Sequence, residues 1–151
     1  MNTKRLCQIA AVALAGALTA CGGAGSAKSA AGAADTVVRR YVGTLPAADC
    51  PGIVFDVTLA APADSVSGDF TLSMTYLEAE DGKDLTVDSR GHWETATGIA
   101  GDPSAVYYRL VEPGTRPDTT NFLYMGDSIV LLGAGLQRIE SGLNYTLQLQ
   151  K

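Results

Sequence analysis

Few side chains in this sequence are equipped for chemistry. There are three thiols, Cys7, Cys21 and Cys50, and one imidazole, His92. Three cysteines are too few for a disulfide framework and an awkward number for pairing. One histidine excludes a His-rich metal site. Cys50 sits in Asp49-Cys50-Pro51-Gly52, a turn composition that precedes a strand pattern. A thiol there acts as a soft-metal ligand or nucleophile when its thiolate is stabilised. The commoner outcome is a small side chain buried at the end of a sheet. Further ligands for a soft metal ion would come from Met74 or Met125, with His92 as a borderline donor. Met74 has core parity on its strand and His92 the opposite parity, so the pattern does not make them converge.

No catalytic set is visible. Nucleophilic hydrolysis needs a base held beside a nucleophile, and His92 lies between Arg90 and Glu94 on a polar face, where a solvated imidazole is expected. Asp88 and Glu94 share one strand face, a feature too ordinary for an acid/base pair. Gly133-Ala134-Gly135 opens no helix, so it is a hairpin turn rather than a phosphate loop. The expectation is a non-enzyme with no catalytic residue and no resident cofactor, in which Cys50 is only a weak candidate metal ligand. The net charge of −5 and the absence of a basic stripe argue against nucleic acid.

The elements that carry these residues fall into three stretches. Residues 1–20 combine Lys4 and Arg5 with an uncharged, Ala-rich run from Leu6 to Thr19. That run has the length of a signal-peptide core and is short of the roughly 20 residues that span a bilayer. It ends in Leu18-Thr19-Ala20-Cys21, which resembles the bacterial lipobox at all four positions. The resemblance implies cleavage before Cys21, acylation of its thiol and attachment to a membrane, and two or more acyl chains make such anchoring stable. Gly22 follows where Asp would favour retention in an inner membrane, so the sorting rule implies the outer membrane. Residues 21–35 are mostly Gly, Ala and Ser and cannot bury a core. They form a tether of about 20 Å r.m.s. span if flexible. All the acidic residues lie at or after Asp35, so loss of Lys4 and Arg5 with the leader makes the remaining chain more negative than −5.

Residues 36–151 alternate with period 2. Ile53, Phe55, Val57 and Leu59 share one parity, as do Phe70, Leu72, Met74 and Tyr76, then Leu85, Val87 and Trp93, then Leu143, Tyr145, Leu147 and Leu149. Shorter apolar runs occur at 37–42, 106–111, 121–125, 128–132 and 136–139. Gly, Asp and Pro separate them, and no long segment has a helical period. About eight short strands joined in sequence predict an all-β fold, a small antiparallel meander barrel. Its polar outer faces are unlike those of a membrane pore. Trp93, Tyr76, Tyr108, Phe55 and Phe70 have core parity and either fill the barrel or line a ligand cavity; filling is the expected outcome. The longest connection is expected between Val111 and Asn121.

Tyr41-Val42-Gly43-Thr44-Leu45-Pro46-Ala47-Ala48-Asp49-Cys50-Pro51-Gly52 resembles the opening of the N-terminal domain of the NlpE copper-resistance and envelope-stress lipoproteins. Thr75-Tyr76-Leu77, Asp81-Gly82-Lys83, Gly91-His92-Trp93, Tyr107-Tyr108-Arg109 and the ending Ile139–Leu147 follow in the family's order. The resemblance implies a lipocalin-like barrel, an outer-membrane anchor and a role in sensing envelope or surface stress or in copper tolerance, through an envelope protein partner. A binding module for a small apolar ligand is the alternative. Ala47 replaces the first cysteine of the family's C-x-x-C. One thiol cannot cycle through an internal disulfide and is a poor soft-metal site alone, which weakens the copper association for this chain.

Overall fold

The computed structural model describes residues 35–114 and 117–151. Cys7, Cys21, the leader and the tether up to Ala34 lie outside the described residues, as do Thr115 and Arg116. Eight antiparallel strands follow in chain order: β1 (Thr36–Leu45), β2 (Ile53–Pro62), β3 (Ser67–Glu80), β4 (Lys83–Ile99), β5 (Asp102–Val111), β6 (Thr119–Tyr124), β7 (Ser128–Leu131) and β8 (Thr146–Gln150). Each pairs with the next, and β8 returns to β1 to close the ring. The expected all-β meander barrel is therefore the observed fold, and no helix occurs among the described residues. The up-and-down course puts the β1–β2, β3–β4, β5–β6 and β7–β8 connections at one end. The other three connections and both ends of the strand array lie at the opposite, terminal end.

Inward parity fills the barrel. Tyr41, Val57, Leu59, Phe70, Leu72, Trp93, Leu110, Phe122, Ile129 and Leu147 join one buried cluster. Trp93 and Tyr108 meet edge to face with ring centroids 5.3 Å apart, and Phe55 and Phe122 do so at 6.4 Å. Each such side chain contributes about 2 kcal/mol by leaving water.

The closure seam explains the opening motif in physical terms. A Cβ on Gly43 would stand 2.6 Å from the carbonyl oxygen of Thr146, so only glycine lets β8 lie this close to β1. The Asn144 amide donates to the carbonyl oxygen of Thr44 and bridges the same seam. The two ends of the barrel sequence thus meet each other.

Three sequence expectations are corrected. Residues 136–139 form no strand: Leu136 takes a left-handed φ of 57°, and Arg138 makes only an isolated bridge to Leu132. The longest connection is the one between Leu131 and Thr146, not that after Val111. The alternation that begins at Leu143 enters the sheet only at Thr146, and Leu143 is exposed.

One cause underlies all three. Ala96, Tyr107, Leu123 and Val130 lie side by side in register on the outer face of β4–β7. They form a second apolar cluster with Ile99, Leu132 and Leu136. The β7–β8 connection is drawn over this patch and secured where the Ala100 N–H donates to the Leu136 carbonyl at 2.9 Å. Gly133-Ala134-Gly135 is the turn inside it, as expected.

Candidate functional site

Cys50 occupies the β1–β2 connection and is partly buried. Its thiol donates to the carbonyl oxygen of Gly52 at 3.3 Å. That oxygen also accepts from the Leu77 N–H at 3.0 Å, which ties the connection to β3. Gly52 is itself confined, since a Cβ would stand 2.9 Å from Cγ2 of Thr44. The thiol therefore fastens a turn. The other soft donors lie elsewhere. Met74 is half-buried on the inner wall beside the main cluster. His92 is exposed on the outer face of β4, opposite Asp69. Met125 is exposed in the β6–β7 turn at the terminal end. Among the described residues no group of three or more His, Cys, Asp or Glu side chains is placed to hold a metal ion. Asp88, Arg90, His92 and Glu94 share the outer face of β4 as expected; Glu94 pairs with Arg109 across to β5 at 3.1 Å.

Of the five aromatic residues given core parity, Phe55, Phe70, Trp93 and Tyr108 are buried and Tyr76 is half-exposed. They pack on one another and on aliphatic neighbours rather than around a void. The barrel mouth retains an open recess of about 340 Å³, lined by apolar Phe55, Met74 and Leu131 together with polar Glu112, Asp118 and Thr120. Deeper in, the Tyr41 hydroxyl is buried with no hydrogen-bond partner. Burial pushes this phenol far above its usual range, and the adjacent Tyr108 phenol adds to the shift. Tyr108 is raised for the same leading reason. An orphaned hydroxyl in such a place costs about 1–3 kcal/mol.

One further region departs from the closed ring. β5 pairs with β4 only from His92 to Ile99. From Lys83 to Gly91, β4 has β3 on one side and, among the described residues, no strand on the other. Leu85 and Val87 have inward parity, yet they are 39% and 42% exposed. Beyond Tyr76 the β3–β4 register shifts through a bulge, and Glu78 and Asp81 take left-handed φ values of 53° and 50°. The Asp84 carboxylate accepts from the Glu78 N–H and holds that bulge. The alternation on β4 signalled inward parity correctly; its burial depended on a neighbour strand that is not there. The outer cluster around Tyr107 and Leu123 was also missed. Its signal was the doubled apolar pairs Tyr107-Tyr108, Phe122-Leu123 and Val130-Leu131, which mark strands covered on both faces.

A small closed meander barrel, filled at its centre and opened along one hairpin, defines a compact β-barrel module whose polar chemistry is confined to turns and the outer surface. The model of the NlpE N-terminal domain matches residues 41–142, and the chain belongs to that family. It is therefore an NlpE-type protein of the cell envelope. No curated protein and no solved structure matches it.

Proposed function

We propose that this is a lipid-anchored envelope protein, held through Cys21 to the outer membrane, that reports envelope or surface stress through protein contacts and performs no catalysis. The observation that carries this reading is the filled interior. Phe55, Phe70, Trp93 and Tyr108 belong to one packed cluster, so the barrel's working surfaces are its outside and its rims. Copper handling draws no support from the geometry, because Ala47 stands where the first thiol of the family's C-x-x-C would be and Cys50 already donates to Gly52. A small ligand held inside the barrel would have only the mouth recess among the described residues. At about 340 Å³ that recess lies at the lower bound for small-molecule sites.

Overexpression of the full chain in cells carrying an envelope-stress reporter tests the proposal. A rise in the reporter that is lost on Cys21→Ala supports it. No rise with the anchored chain present at high level overturns it. Copper titration of the chain and of Cys50→Ser is expected to give the same weak binding for both.

A further inference from the structure

We propose that the free edge of β4 from Leu85 to Gly91 is a docking site for an extended segment of another envelope protein, one whose residues alternate apolar and basic. The proposal rests on the protein-contact reading above and gives that contact a place and a chemistry.

An edge strand offers a row of unpaired N–H and C=O groups to any chain able to run alongside. This edge arises because β5 ends its pairing at Val111, opposite His92, while β4 continues for nine more residues toward its start at Lys83. Residues Lys83–Asp88 are exposed throughout, so the edge is open on both faces. An added strand would extend the line of β5 and complete the wall that the barrel lacks.

The faces of β4 dictate the partner's sequence. Residues directly opposite in an antiparallel pair share a face and interact. The inward face of β4 presents Leu85 and Val87, with Met74 of β3 opposite Val87. The outward face presents the acids Asp84 and Asp88, and Arg90 at its barrel end. A partner strand therefore matches apolar residues to the first set and basic residues to the two acids. The hairpin tip adds Glu78, Glu80 and Asp81, so five acids stand against two bases, Lys83 and Arg90, along the arm. The same acidic set opposes self-pairing of two copies through this edge.

The inner end of the edge contains a seat. At Gly91 a groove of about 740 Å³ lies against Phe70, Val111 and Pro113. A Cβ on Gly91 would collide with the Val111 carbonyl oxygen, so glycine lets the last residue of β5 close against β4 here and form one wall of the groove. An apolar residue of the partner's strand has a place there. Another uncovered edge segment, Thr36–Arg39 of β1, carries Arg39 instead of acids and selects against the same partner.

The test uses the full chain and three synthetic nonapeptides: alternating valine and lysine, alternating valine and glutamate, and the first with proline at its three central positions. Hydrogen exchange of backbone amides is followed by mass spectrometry. The valine–lysine peptide is expected to slow exchange across Leu85–Gly91 at least tenfold, and added salt is expected to weaken the effect. The other two peptides should leave exchange unchanged, and Val87→Asp should abolish protection. Three results overturn the proposal: no protection by the valine–lysine peptide, equal protection by the glutamate peptide, or protection confined to Thr36–Arg39. Concentration-dependent protection without peptide also overturns it, in favour of a second copy. If the peptide docks while overexpression leaves the stress reporter flat, the docking edge stands and the signalling reading falls.

Discussion

Trp93 and Val87 lie on one strand, six residues apart and on the same face, and they end in opposite environments. Trp93 is 1% exposed and Val87 is 42% exposed. Trp93 has Gly68 of β3 on one side and Leu110 of β5 on the other. Val87 has Met74 of β3 on one side and, among the described residues, no paired strand on the other. The barrel body and the β3–β4 arm are thus made from the same alternating pattern, and only the body is closed. Alternation determines the face a side chain takes. Burial requires a complete ring of neighbours, and the departure of β5 at Val111 withholds it from the arm.

The largest expected contrast comes from truncating the body. Trp93→Ala should cost about 3–5 kcal/mol, the range for emptying a large aromatic site. It also removes the indole N–H bond to the Ala60 carbonyl at 3.4 Å. Urea unfolding measures the loss, and a value under about 1 kcal/mol would show that the body is no better packed than the arm. Next in size is the seam. Gly43→Val places atoms against Thr146 and Leu147 and should cost about 1–3 kcal/mol by overpacking. Faster hydrogen exchange in Thr146–Gln150, with slower change elsewhere, would locate the damage at β1–β8.

A smaller effect separates body from arm by pH. Burial favours the neutral Tyr41 phenol, so its folded pKa lies above the ordinary value of 10.0. The stability linked to the neutral phenol is fully present below that value and is lost as pH rises through the folded pKa. Thermal midpoints should therefore fall once pH exceeds about 10. Tyr41→Phe should flatten that fall and, by removing an unpartnered hydroxyl, leave neutral-pH stability unchanged or raised by about 1 kcal/mol. An unaltered alkaline profile in Tyr41→Phe would place the titration elsewhere.

Particular residues show how far the sequence could be read. Ile53–Leu59 and Phe70–Leu72 alternate cleanly, and β2 and β3 run through them with the expected parity. Turn residues such as Asp81-Gly82 and Gly126-Asp127 marked hairpins that the structure contains. Leu136–Ile139 misled because an apolar run of four has no unique period. Those residues cover a second cluster rather than extend a strand. The arm was illegible for a different reason. Nothing local at Leu85 reports where a strand more than twenty residues later stops pairing. For the soft donors, opposite parity had already separated Met74 from His92, and the register keeps them on opposite faces. The role of Cys50 in holding Gly52 depends on a carbonyl orientation that no residue pattern specifies.

The smallest expected effects belong to the arm, and they sharpen the comparison most. Leu85→Ser with Val87→Ser removes two large apolar side chains of inward parity from the same strand as Trp93. In the body a change of this kind costs several kcal/mol; in the arm it should fall within about 0.5 kcal/mol, as for a surface site. The side chains are already wetted, and β3 alone shields them, so little transfer free energy remains to be lost. Urea midpoints within error of the parent chain are the expected outcome. A loss above about 2 kcal/mol would mean that the arm closes onto the barrel in solution and that its edge is covered. An unchanged midpoint instead leaves two apolar residues held in water by a strand that gains nothing from them in the isolated fold. Single exposed apolar residues are ordinary at a surface; these two lie on the unpaired edge to which the proposed partner strand would add.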